Sequence, residues 1–317
     1  MENSKRTYVV TGATGRIGAQ VARGLLKAGH QVRAVGRNAD GLKALADLGA
    51  KPLRGDVEDA AFVDHAFSGA DAALLLVAGD RMSRDFRRGY GDVGRNYAHA
   101  LRTNGISAAV FNSCIGAHDE KYRGLVLVHA DVEKALDEVP NLDLMHVRAA
   151  PYFENLFYWL PASQARGALA TPINPDAKLD LVQTTDVAAV ALQLLLKLDF
   201  RGRNAIEVHG REVLTMRQVA EKIGKQLGRA FPAEQTPRET VIEELVAHGL
   251  SVDFANLMND TWDTFSRYGL MRAPGTPAST QGTTAIDDFL RQQFLPALAQ
   301  QSETAKGLER LAKATSA

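Results

Sequence analysis

A doubly wound α/β fold (Rossmann type), with a smaller and mainly helical lobe toward the C-terminus, is the class this sequence predicts. Three observations carry it. Strand-like and helix-like segments alternate through residues 1–150. The strand-like ones, "TYVVT" and "DAALLLVAG" among them, are short apolar runs without polar alternation, as strands covered on both faces require. A glycine-rich stretch, "VVTGATGRIGAQ", falls between the first strand and the first helix.

Taken in order, "TYVVT" is β-branched and apolar. "RIGAQVARGLLKAG" places Ile17, Val21 and Leu25 four apart and ends at Gly29, a helix stop. "QVRAVG" is the second strand and "ADGLKALADLG" a helix with its own terminal glycine. "KPLRGD" is a short third strand, followed by the helix "DAAFVDHAFSG" and the fully apolar strand "DAALLLVAG". A polar helix over roughly 83–104 ends at Asn104-Gly105. "ISAAVFN" is the fifth strand, "LVLVHADVEKALDEV" a helix and "LDLMHVR" the sixth strand. Residues 1–150 are therefore expected to form the nucleotide-binding domain, together with "LDLVQTTDVAAVALQLLLKL" (178–200), a strand and a helix capped near Thr185 or Asp186. The smaller substrate lobe is expected from 151–177 and 201–300, with 301–317 a polar, flexible tail.

Composition narrows the function. Lys+Arg and Asp+Glu are both 37, so no excess positive charge is available for general nucleic-acid binding. A single cysteine, Cys114, allows no internal disulfide. The N-terminus has no apolar signal-peptide core, and no apolar run reaches the ~18 residues of a membrane span. A cytoplasmic protein acting on a small molecule is the expectation, without nucleic-acid or membrane partners. The eight histidines show no zinc-ligand spacing, so no metal site is expected.

The glycine stretch gains its meaning from context, since a strand precedes it and a helix follows it. Gly12 permits a tight turn, Gly15 a close backbone approach to a pyrophosphate, and Gly18 close packing of helix on sheet. Thr14, Arg16 and Ile17 fill the loop and the first helical turn, whose free N–H groups attract an anion. The spacing, G-x-x-G-x-x-G, resembles the short-chain dehydrogenase/reductase superfamily, and "VTGATGRIG" its extended and atypical branches. At the end of the second strand, "AVGRNAD" carries Arg37 where an acidic residue would accept the ribose 2′-OH of NAD. A guanidinium there can hold a 2′-phosphate, so NADP is favoured over NAD. The alternative for Arg37 is a solvated surface side chain. In "RGDVED", Asp56 and Val57 sit where this kind of protein meets the adenine edge; a plain helix cap is the other reading. Val77, Ala78 and Gly79 of "LVAGD" are expected to line the cofactor crevice through their backbone.

Together these segments, with "FNSCIGAH", "HADVEKAL", "VRAAPYFENL" and "TTDVAAVALQLL", resemble the NmrA-like NAD(P)-binding family of atypical short-chain dehydrogenase/reductases, over about 70% of the chain. The last 85 residues carry no recognisable motif. The resemblance implies one of two activities. One is an NADP(H)-dependent reductase transferring hydride to a small aromatic or quinone-like acceptor. The other is a non-catalytic, NADP-binding redox sensor acting through a protein partner. Ordinary relatives use Tyr-x-x-x-Lys on a helix, but here Ala130 stands four residues before Lys134. Lys134 could still hold the nicotinamide ribose, as the resemblance implies, or be a surface lysine paired with Glu138. Ser113, after the fifth strand, and Tyr152, after the sixth, are the other catalytic candidates. His129 is a weaker one, and Phe153, Asn155 and Trp159 are expected in the pocket wall.

Overall fold

The chain's hydrophobic runs become the strands they suggest. In the computed structural model, which describes residues 5–77, 79–269 and 279–300, the six expected strands are β1 (Thr7–Val10), β2 (Gln31–Gly36), β3 (Lys51–Arg54), β4 (Ala72–Leu75), β5 (Ala108–Cys114) and β6 (Asp143–Ala149). The helices between them are α1 (Arg16–Lys27), α2 (Ala39–Ala46), α3 (Ala60–Phe67), α4 (Phe86–Thr103) and α5 (Leu125–Asp137). Beyond them come a 3-10 turn, Phe153–Trp159, and then α6 (Leu160–Arg166), β7 (Leu169–Thr171), β8 (Lys178–Asp180) and α7 (Thr184–Lys197). β9 (Arg203–His209), β10 (Val213–Thr215), α8 (Met216–Leu227), β11 (Ala233–Gln235), α9 (Arg238–Ala247), α10 (Val252–Tyr268), β12 (Ser279–Gln281) and α11 (Ile286–Phe289) follow. The tail expected at 301–317 lies outside the described residues. Among the described residues no helix is long and apolar enough to cross a membrane.

One parallel sheet runs β12-β9-β6-β5-β4-β1-β2-β3. Strand order reverses between β1 and β4, which opens a crevice at the carboxyl ends of the strands. The inner strands β1, β4, β5 and β6 are covered on both faces, which is why their residues show no alternation of buried and exposed positions. Val9 points into one core with Val63, Phe67, Tyr97 and Val132, while Tyr8 and Val10 point into the other with Val21, Leu25 and Val187. The Ile17, Val21 and Leu25 stripe of α1 is buried as its spacing predicts. At one edge β3 carries Lys51, Pro52 and Arg54; at the other, β12 has three residues.

Three elements depart from the sequence reading. β9 and β12, in a stretch assigned to the smaller lobe, extend the main sheet. The polarity of "IEVH" concealed this: Glu207 and His209 are 2% and 1% exposed, and both are satisfied by other buried charges. α7 begins at Thr184, before the expected cap, and the Asp186 carboxylate instead accepts bonds from Thr283 Oγ1 and from Thr284 N and Oγ1, just after β12.

His209 sits between two carboxylates, with Nδ1 2.7 Å from Asp180 and Nε2 3.1 Å from Glu207. Burial alone would lower its pKa, but the bonds to Asp180 and Glu207 outweigh that and raise it to about 9. The protonated imidazole therefore stabilises the fold fully below the ordinary value of 6.5 and ceases to do so as pH rises through about 9. Thermal unfolding followed from pH 6 to 10 is expected to show falling stability across that window. His209→Gln is expected to flatten the slope; an unchanged slope would assign the loss to other groups.

Candidate functional site

The crevice holds two chambers that meet at the ends of β5 and β6. The first, a cavity of about 790 Å³, is built on the glycine loop. Thr11 ties the end of β1 to the segment after β4, its hydroxyl accepting from Leu76 N at 2.8 Å. The chain then turns through Gly12 at φ +58, a backbone conformation that favours glycine. A Cβ on Gly18 would lie 2.3 Å from Gly12 O, so α1 can approach the loop this closely only without a side chain there. Gly15 caps α1 with no side-chain bond to the first turn, and that turn holds no acidic residue. Its N–H groups and positive dipole end thus face the cavity unneutralised, a cradle for an anion.

The structure places Gly12, Thr14, Gly15, Arg16, Ile17, Gly18, Arg37, Asp56 and Val57 together around this chamber. Arg37 and Asp56 are 3.5 Å apart and both half-exposed, which holds the guanidinium at the rim without burying it. Arg16 lies over the Phe157 ring, 5.4 Å from its centroid, and 3.9 Å from Glu154, which also accepts from the Thr184 hydroxyl.

The second chamber, about 650 Å³, is mostly apolar. β5, α4 and α5 supply one side, and α10 closes the other with Phe254, Met258, Trp262 and Phe265. Leu76, Asn112, Tyr152, Asn155, Tyr158, Arg37 and Arg81 border both chambers. At this junction Asn112 Nδ2 donates to the Tyr152 hydroxyl at 3.1 Å. The phenol's own proton is therefore left to point elsewhere. Burial pushes the Tyr152 pKa up to about 12, with the bond from Asn112 pulling against it, so the proton is held at neutral pH. The buried Asn112 Oδ1 has no partner among the described atoms. Deeper in, the Tyr90 hydroxyl is 3.5 Å from the His129 ring nitrogens. Burial lowers the His129 pKa to about 4, so the imidazole is neutral.

Below the floor lies a buried charge pair. Arg148 grips Glu133 through Nε at 2.9 Å and a terminal nitrogen at 2.6 Å, and Ser113 Oγ donates to Glu133 Oε1 at 2.6 Å. Burial would raise the Glu133 pKa, but Arg148, with His146 and Ser113, holds it below the usual carboxylate value.

Other candidates fall differently. Lys134 is exposed and borders neither chamber. On α5 the residue one turn after His129 is Glu133, which faces the sheet, and Lys134 is rotated past it toward solvent. Ser113 borders the second chamber, but its proton is committed to Glu133. Val77 and Gly79 border the second chamber rather than the first, where Leu76 stands instead; Ala78 lies outside the described residues. Phe153 and Trp159 are core, and Phe157 and Tyr158 take the wall positions expected of them. Cys114 is half-buried at the chamber's edge, its thiol pKa raised by burial. The α10 residues were missed: Phe254, Met258, Trp262 and Phe265 recur at helical spacing, a pattern a sequence cannot distinguish from core.

A family model described as the NmrA-like family matches residues 4–289. A (4-alkanoyl-5-oxo-2,5-dihydrofuran-3-yl)methyl phosphate reductase of Streptomyces griseus is 28% identical over 227 residues, 72% of this chain and 76% of the relative. An NAD(P)H azoreductase of Xenophilus azovorans is 22% identical over 256 residues, 80% and 85% of the two chains. The fold is similar to that of an NADPH-dependent quinone oxidoreductase of Escherichia coli complexed with NADPH, with a TM-score of 0.75, 24% identity, and coverage of 91% of this chain and 99% of that one.

Proposed function

Because this chain belongs to the NmrA-like family, we propose that it is an NADPH-dependent reductase of a small aromatic or quinone-like acceptor. The observation that carries the reading is the junction of the two chambers at Asn112 and Tyr152, which sets an anion-binding glycine loop beside an apolar, aromatic pocket. The reductases among its relatives support it.

The residues present fit a dinucleotide: an uncapped helix N-terminus, a loop whose Gly18 admits no side chain, and a guanidinium at the rim. The glycine loop and α1 would hold the pyrophosphate, Arg37 the 2′-phosphate, and Asp56 and Val57 the adenine edge. When bound, the nicotinamide supplies hydride. The apolar second chamber excludes water and orients the acceptor. Tyr152, held by Asn112, gives its phenolic proton to the acceptor oxygen as negative charge builds there, and is re-protonated from water. Lys134 has no part in this scheme because it stands outside the cleft.

Steady consumption of NADPH in the presence of a panel of quinones tests the reading. A tight NADP complex with no turnover on any acceptor would favour a redox sensor instead. The cofactor assignment has its own test. Arg37→Asp places a second carboxylate beside Asp56, where the 2′-phosphate would lie. NADPH affinity measured by fluorescence titration is expected to fall about tenfold or more, with NADH affinity nearly unchanged. Equal affinity of mutant and wild type for NADPH would remove Arg37 from the site.

A further inference from the structure

Among the described residues three guanidinium groups border the cleft, and they are not equivalent. Arg16 lies 3.9 Å from Glu154, and Arg37 lies 3.5 Å from Asp56. Among the described residues, no carboxylate stands within ion-pairing distance of Arg81. Its charge instead lies over two aromatic rings, 5.8 Å from the centroids of Tyr158 and of Phe254.

Arg81 is exposed, but it is not a loosely held surface side chain. Its carbonyl accepts from Ser251 N at 3.0 Å, just before α10. The turn around it is closed by Ser83 N donating to Asp80 O at 3.0 Å and Met82 N donating to Asp80 Oδ1 at 2.9 Å. The bond from Met82 turns one Asp80 carboxylate oxygen back onto its own loop, although Asp80 also borders the second chamber. The backbone is thus fixed from two sides and the side chain is seated between two rings. A cation arranged this way, its donors unspent on any described residue, has little freedom to lose on binding. It also stands at the mouth shared by the two chambers, with Tyr152 at the same junction.

We propose that Arg81 is a specificity-determining residue, and that the acceptor is an apolar, aromatic-sized molecule bearing an anionic substituent, a carboxylate, sulfonate or phosphate, that pairs with this guanidinium. The body of the acceptor occupies the apolar chamber and the anion stays at the mouth, so the charge is never carried into the apolar interior. The proposal rests on the reductase reading for the word acceptor, but its binding geometry does not need turnover.

The test is therefore a binding experiment on the full chain loaded with NADP+. Trp262 borders the chamber and reports occupancy by fluorescence. The probes are 2-naphthalenesulfonate and the neutral 2-naphthalenesulfonamide, which share one aromatic body. The sulfonate is expected to bind about tenfold more tightly, the scale of one charge-assisted hydrogen bond at a half-solvated site. In Arg81→Met that preference should vanish, while affinity for the sulfonamide stays within about twofold, since the methionine keeps the apolar contact with the rings. Equal binding of the two probes to the wild type would overturn the proposal. So would an equal loss of both probes in the variant, which would make Arg81 a packing residue. A fall in NADP+ affinity with the sulfonate preference intact would give Arg81 to the cofactor. Failure of the reductase reading would register separately, as absent NADPH consumption with the charge preference preserved.

Discussion

Replacing Glu133 by Ala is expected to cost about 3–5 kcal/mol of stability, the largest loss anticipated for any single side chain in the site. Glu133 is 5% exposed and Arg148 9%, so the substitution strands a guanidinium where water cannot reach it freely. Two hydrogen bonds to that guanidinium disappear with the carboxylate, and Ser113 loses the acceptor for its own hydroxyl. Glu207, paired with Arg148 in the strand register, offsets part of the loss. The urea midpoint is the measurement, and a double-mutant cycle identifies the cause. Glu133→Ala with Arg148→Met should recover most of the stability, because an apolar pair leaves no charge unpaired. If the double variant were as unstable as the sum of the single ones, the pair would not be the source.

Tyr152→Phe should lower kcat/KM for quinone or carbonyl acceptors about a hundredfold, within the range of general acid catalysis. Phenylalanine keeps the ring in the wall and removes only the oxygen that Asn112 orients. NADPH affinity should therefore be nearly unchanged, and the loss should fall on the rate rather than on cofactor binding. With a hydroxyl pKa near 12, the wild type should show no loss of activity traceable to this residue at neutral pH. Rates in the variant equal to those of the wild type would assign proton delivery to water.

Much of this could be read before the fold was seen, and the reasons are local. The glycine loop is legible because each of its positions answers a backbone demand: the left-handed turn at Gly12 and the close approach at Gly18. β1, β4 and the start of β5 are legible because burial on both faces leaves continuous apolar runs. What was hidden depended on partners distant in sequence. β9 looks too polar for an inner strand until His209 is seen bonded to both Asp180 and Glu207, with Glu207 set beside Arg148. The α10 wall reads as ordinary core, because an apolar stripe carries no sign of whether a chamber lies against it. Lys134 drew attention through its distance from an absent tyrosine, yet the residue that α5 turns toward the sheet is Glu133.

The two margins of the sheet have a consequence for how the molecule meets copies of itself. An exposed strand offers a ladder of unpaired amides to which another chain can add, the usual first step toward fibrils. Here one margin, β3, carries Lys51 and Arg54 and is interrupted by Pro52, which has no N–H to offer. The other, β12, is three residues long, and the chain after it is drawn back onto α7 by Asp186. Neither margin is a good template, so growth by strand addition is discouraged at both ends.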